Sequence, residues 1–333
     1  MKYKNTIQLA SNCFFIKGFK KHLLIDFQRE EWFHVDFNLF KNGSLDLAAL
    51  EKEEIDYLIE NQILITVPTK LKKKFSPILT NFDVPSIIEF AIIDRNSESH
   101  YPIEKTLIWL DQLLLKFCQI MYFSMPSIGD IQHVLNLTSS SNLESLELLL
   151  PYHEQFIVFF DENLRLFPKI NYLVFHSAPY DKNEIANGDT RRLFVRESIL
   201  SSNNCGIVHP TYFSHTRKHV LKNMNFNSCL YKKLGIDING KIKNCPSMEF
   251  AFGSVDDIES IKITDLETEF WYIKKDDIHV CRDCEFRYIC TDCRVRVVDG
   301  IKSRPSTCLY NPYTNKWKGD KDYNEPEIFT TRA

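Results

Sequence analysis

Cys281-Arg-Asp-Cys284-Glu-Phe-Arg-Tyr-Ile-Cys290-Thr-Asp-Cys293 is the stretch around which the rest of the chain is read. Two CxxC pairs stand five residues apart; Cys229 and Cys245 precede them and Cys308 follows, so seven of the ten cysteines lie within one quarter of the chain. A single four-cysteine zinc site usually separates its pairs by roughly 15–20 residues, which makes five a tight link. Iron–sulfur ligation offers another solution, in which neighbouring cysteines of one run serve different clusters. Seven thiols exceed one four-coordinate site and nearly fill two.

Outward from this run, the chain of 333 residues is long enough for two or three units, each with its own core. A net charge of −3 provides no basic field for non-specific nucleic-acid binding. The opening Met-Lys-Tyr-Lys-Asn-Thr has no apolar core or cleavage site, and no run of about 18 apolar residues occurs, so neither a signal peptide nor a membrane span is expected. A cytoplasmic protein with reduced thiols follows, and clustered cysteines there favour metal ligation over disulfides.

The N-terminal part predicts three short strands, Cys13 to Lys17, His22 to Phe27 and Trp32 to Asp36, as in a meander. A helix over Asp46 to Asn61 carries Leu47, Leu50, Ile55, Leu58 and Ile59 on one face, and a strand over Ile63 to Val67 completes a winged-helix outline. The helix holds Asp46, Glu51, Glu53, Glu54, Asp56 and Glu60 against Lys52 alone, a charge that would repel a phosphate backbone. Peptide binding by strand addition to a sheet edge is the expectation, with an accessory packing role as its alternative. Lys70 to Lys74 reads as a solvated linker with a boundary near residue 80.

From Pro85 to about Tyr180, strands at Ile87–Ile93, Gln119–Ser124, Leu146–Leu150 and Ile170–Phe175 alternate with helices at Ile103–Phe117, Ile128–Leu137 and Phe156–Arg165. This is the pattern of parallel βαβ units in an open sheet or partial barrel. No G-x-G-x-x-G and no P-loop occurs. His176, at a strand end, is read first as a structural histidine. Cys205, His209, His215 and His219 have zinc-like separations without a CxxC, and loop histidines in solvent are the plainer reading. Asn239-Gly240 predicts a hairpin whose two central residues both take positive φ and which draws Cys229 and Cys245 together.

The order Cys229, Gly240, Cys245, then Cys281, Cys284, Cys290 and Cys293, then Cys308, with Asn311-Pro-Tyr-Thr-Asn-Lys-Trp317 after it, resembles the SPASM domain, the C-terminal extension of radical SAM peptide-modifying enzymes. It is similar in particular to the SPASM maturases of grasp-with-spasm systems, which are paired with an ATP-grasp ligase and a precursor peptide. The resemblance covers roughly residues 221–333, and the first 70 or so resemble the winged helix that recognises precursors in peptide maturation. It implies two 4Fe-4S clusters, the first on Cys229, Cys245 and Cys293, the second on Cys281, Cys284, Cys290 and Cys308.

Two departures from the family bear on the first cluster: the last step of the cysteine run is x2 where x3 is common, and no cysteine stands about five residues before Cys229. Cys205 would then be the fourth ligand, or one iron would stay open; zinc in either place is the alternative. A larger departure is that no CxxxCxxC triplet exists to hold the cluster that cleaves S-adenosylmethionine, so none of that cofactor is expected. Cys13 and Cys118 sit alone on apolar segments as buried structural thiols.

The expected α/β protein therefore has three parts: a winged-helix-like precursor-recognition domain over 1–75, a degenerate βα barrel of radical SAM type over 80–220, and a SPASM iron–sulfur domain over 221–333. Its expected role is to bind the leader of a ribosomally synthesised, post-translationally modified peptide and present it to an ATP-grasp ligase. An iron–sulfur enzyme acting through an open iron of the first cluster is the rival.

Overall fold

Runs of aromatic and branched residues form the first strands, β1 (Asn5–Leu9), β2 (Cys13–Ile16), β3 (His22–Asp26) and β4 (Glu31–Val35), in the computed structural model, which describes residues 5–36, 38–41, 44–48, 50–75, 78–187 and 189–326. The short pair β5 (Phe40–Lys41) and β6 (Ser44–Leu45), helix α1 (Lys52–Glu60) and β7 (Leu64–Pro68) follow. The helix starts later than Asp46 because Glu51 and Glu54 form a reciprocal capping box that fixes its first turn.

Packing divides the chain into two units, one of Met1–Phe82, Gly206–Cys229 and Tyr272–Ala333, the other of Asp83–Cys205 and Leu230–Trp271. In the first unit β2, β3 and β4 form an antiparallel meander, while β7 pairs with β1. Every residue of β3 is buried, since both faces of the meander are covered. Alternation with period two sends Cys13, Phe15, Leu24, Phe33 and Val35 into a core with Leu58 and Ile59 of α1 and Leu64 of β7. The opposite face carries Phe14, Ile16, Leu23, Ile25 and Trp32 into a second core, shared with Phe286, Ile289, Cys290 and Tyr310.

The second unit begins with β8 (Phe90–Arg95), α2 (Ile103–Gln112), β9 (Phe117–Tyr122), α3 (Ile128–Ser139), β10 (Ser145–Pro151), α4 (Glu154–Asn163) and β11 (Ile170–His176), then the hairpin β12 (Lys182–Ala186) and β13 (Thr190–Phe194). After α5 (Arg217–Asn225), which belongs to the first unit, the chain adds β14 (Lys233–Ile236), β15 (Lys241–Lys243) and β16 (Gly253–Ser254) here and ends with β17 (Tyr310–Asn311) and β18 (Lys316–Trp317) in the first. A nine-stranded mixed sheet results, in the order β12-β13-β11-β10-β9-β8-β14-β15-β16. Its six central strands are parallel, as the alternating pattern predicts, and antiparallel hairpins close both edges.

Ala91, Ile93, Cys118, Ile120, Leu146, Leu148, Leu173 and Phe175 lie on one face of this sheet and are almost wholly buried, along with Leu110, Val134 and Phe160 of the helices. Two local expectations fail. The helix predicted to run to Phe117 stops at Gln112 because Leu114 takes a left-handed conformation, φ 60°, which leaves Leu114 exposed and starts β9 at Phe117. At the β14–β15 turn Gly240 alone has positive φ; the Asp237 carboxylate accepts from the Asn239 and Lys241 N–H groups and closes the turn without bending Asn239. Among the described residues no helix is long and apolar enough to cross a membrane.

Candidate metal centre and the sheet beside it

Four of the seven clustered cysteines, Cys281, Cys284, Cys290 and Cys308, line one cavity in the first unit together with Lys275, Arg287, Arg304 and Tyr310. Local turns bring the first three together. Val280, at φ 69°, swings the chain into a 3-10 turn in which Cys284 N–H donates to the Cys281 carbonyl, and Cys290 N–H then donates back to Phe286. Cys308 arrives by a long-range route, through a parallel bridge to Val208. The cavity is small, about 20 Å³, room for one water. Among the described residues no three His, Cys, Asp or Glu side chains close on one point as the ligands of a single ion do.

Burial pushes the Cys281 thiol up to about 11, Cys290 to about 12, and Cys284 well above its ordinary value. These thiols hold their protons until a cation displaces them. The compensating charge is already in place: Lys275 is buried with Nζ 3.9 Å from Cys290 Sγ, 3.0 Å from the Thr291 carbonyl and 3.4 Å from Asp292. Burial opposes its charge, but Asp292 and, once ionised, the thiols of Cys290, Cys281 and Cys308 outweigh that and raise its pKa. Asp292 is shared with the equally buried Arg294 at 2.6 Å and accepts from Asn227, so Lys275, Asp292 and Arg294 leave one surplus positive charge beside the thiols. A buried surplus charge is costly alone and is offset where thiolates face it.

Of the other named cysteines, Cys293 lies next to Gly206, where an added Cβ would meet its Sγ at 3.0 Å. Cys229 and Cys293 belong to the first unit; Cys205, exposed, and Cys245 belong to the second. None of the ten forms a disulfide, and Cys13 and Cys118 are buried as expected of structural thiols. Among the histidines, His209 bonds Thr211, His215 reaches the Glu30 carbonyl, and His219 packs with its Nε2 shut off from solvent, so that burial lowers its pKa to about 4. Their separate contacts do not compose a ligand set, and the buried ring of His219 corrects the expectation of solvated histidines. His176 is structural: Nε2 donates to the Tyr122 carbonyl and Nδ1 accepts from Ile199 N–H, the pattern of one neutral tautomer.

Beside the cavity the run meets the meander. Phe286 packs edge-on to Trp32 and against His34, His34 Nε2 stands 3.5 Å from Glu285 Oε1, and Arg287 donates to the Lys17 carbonyl. Beyond β4, which among the described residues pairs with β3 alone, a groove of about 530 Å³ lies between Phe33, His34, Val35 and Asp36 on one side and Glu53, Glu54, Tyr57 and Leu58 of α1 on the other.

Asp94, in the second unit, is a site-like residue that no motif announces. It ends β8 with Oδ2 2.5 Å from Ser202 Oγ, its Oδ1 is buried without a partner, and burial pushes its pKa up to about 7. A carboxylate closing the apolar run before it, Phe90 to Ile93, is the signal that could have found it.

No family model matches the sequence and no curated protein does. Among solved structures, Streptococcus suis SuiB bound to S-adenosylmethionine is similar in outline at 12% identity over 91% of this chain and 100% of that one, with a TM-score of 0.34. A second structure of Streptococcus suis SuiB gives 12% identity over 90% and 99%, at 0.32. Likeness this slight is a distant hint and does not establish a shared fold.

Proposed function

We propose that the chain serves the maturation of a ribosomally made peptide, taking a basic leader stretch as an added strand on β4 and holding an iron–sulfur cluster on Cys281, Cys284, Cys290 and Cys308. The groove at the β4 edge carries the peptide reading: its walls bear Asp36, Glu53 and Glu54 for lysine or arginine, and Phe33, Tyr57 and Leu58 for apolar side chains. Strand addition would draw affinity from backbone pairing and selectivity from such walls.

For the metal, support comes from four thiols lining one cavity, a donor set that iron–sulfur clusters take, and from the buried charge of Lys275 beside them. A bound cluster, its four irons each held by a thiolate, would supply a redox centre. The chain's own residues would bind it, shield it and counter its charge. A second 4Fe-4S centre on Cys229, Cys245 and Cys293, with Cys205 as the fourth ligand, is proposed from the spacing resemblance alone. So are the modules 1–75 for recognition, 80–220 as a catalytically silent barrel and 221–333 for metal, and the ATP-grasp ligase as partner.

The test titrates full-length protein with labelled peptides tiling the precursor encoded beside the gene, while proline is placed in turn at Glu31 to Val35. Proline removes one backbone donor, so alternate positions, those whose N–H faces away from β3, should weaken binding by about tenfold or more with the fold retained. Equal binding at all five positions would sink the strand-addition reading.

A further inference from the structure

We propose that filling the four-cysteine centre and ordering the peptide edge of β4 are one coupled event, transmitted by the Cys284–Cys290 loop through Glu285 and Phe286 to His34 and Trp32. The inference rests on the metal centre and groove of the proposed function and adds their mutual regulation.

Three observations carry it. First, the loop between the second and third cysteines is itself the contact surface of the meander: Glu285 faces His34, Phe286 packs on Trp32 and His34, Arg287 holds the Lys17 carbonyl, and the Asp283 carbonyl accepts from Phe19 N–H. Cys284 and Cys290 lie in the same core as Ile16, Leu23 and Ile25, so no soft layer separates thiols from sheet. Second, the space among the thiols takes little more than a water, so a cluster can enter only if its walls move, and this loop is one of the walls. Third, Glu285 is fully buried with Oε1 bonded to Tyr310 while Oε2 has no partner, leaving hydrogen-bonding capacity for a second arrangement of the loop. His34 is the β4 residue that touches this carboxylate and also lines the peptide groove.

Coupling of this kind is reciprocal, so metal would tighten peptide binding and peptide would tighten metal retention by the same factor. The experiment measures amide hydrogen exchange along Glu31–Val35 in the full-length chain, metal-free and after anaerobic reconstitution with iron and sulfide, or with zinc. Metal content is measured on the same samples, and amides of β8 to β11 serve as internal reference. Loading should slow β4 exchange about tenfold while the reference stays unchanged. His34→Ala, a mild change at the sheet edge, should load equally and lose most of the slowing, as should Phe286→Leu. Full loading with unchanged β4 exchange overturns the coupling and leaves the metal centre standing. An equal response in His34→Ala and Phe286→Leu overturns the route. A chain that takes up neither metal overturns both readings, and the metal content distinguishes that case.

Discussion

Gly18 and Glu285 approach so closely that no side chain fits between them. A Cβ at Gly18 would lie 2.2 Å from the Lys21 carbonyl oxygen, 2.8 Å from Glu285 Cβ and 2.9 Å from Glu285 N. Two of these atoms are backbone, so relief requires the hairpin to lift from the cysteine run. Gly18→Ala should therefore cost about 1–3 kcal/mol, as overpacking does, and expose the N-terminal segment to protease. The thermal midpoint and limited trypsin digestion check this, and a wild-type pattern in both refutes the close approach.

Alanine at Cys281, Cys284, Cys290 or Cys308 should each remove about four irons per chain after anaerobic reconstitution, the content of one 4Fe-4S cluster. Cys118→Ala is the control. Burial pushes that thiol up to about 12 as well, yet it belongs to β9 of the second unit, so the variant should keep all the iron and cost only about 1 kcal/mol of packing. Iron and sulfide assays separate the two classes.

Lys275→Met removes the surplus charge beside the thiols. Asp292 keeps Arg294 at 2.6 Å, so the metal-free chain should lose about 1–3 kcal/mol, less than a broken buried pair with no substitute. The loaded chain should lose iron faster on gel filtration and, if loaded, show a lower reduction potential, because a nearby cation favours the more negative reduced state. Unchanged retention and potential would show that Lys275 has only a packing role.

Asp94→Asn tests the buried carboxyl of the second unit. The free carboxyl ionises near 3.8 and the folded one near 7, so unfolding releases a proton between those values and stability falls as pH rises through that window. Asparagine has no such dependence. The variant should melt close to wild type at pH 4 and gain relative to it up to pH 8, by on the order of 4 kcal/mol at about 1.4 kcal/mol per pKa unit. A difference independent of pH would show that folding leaves this carboxyl unshifted, and one that grows against the variant as pH rises would place the ionised form of Asp94 in a stabilising contact.

Much of the local structure is legible in the residues. The aromatic and branched runs of the meander, the helical face of Ile55, Leu58 and Ile59, and the βα alternation appear where side-chain periodicity puts them, and the central strands are parallel, while Leu47 and Leu50 precede the helix. The misses are conformational. Leu114 leaves its helix, and Asn239 does not take positive φ, because a backbone turn depends on which partner closes it, here the Asp237 carboxylate. Asp94 follows the apolar run Phe90 to Ile93, a signal of burial, but that its Oδ1 is left without a partner depends on the packing around it.

By itself the sequence determined which thiols are within local reach. Cys281, Cys284 and Cys290 are separated by two and five residues, so at no more than about 3.6 Å per residue successive members of the run stay within about 20 Å of each other, and a turn suffices to bring them together. It also determined the acidic face of α1 and the missing radical SAM triplet. Only the tertiary structure decided that Cys308 joins those three by way of Val208, that Lys275 supplies the buried cation, that β14 lies beside β8, and that the meander shares a core with the cysteine run. Burial of apolar surface is non-directional, so an apolar face declares that it will be covered but not by what; the choice among distant partners is made by packing the whole chain at once.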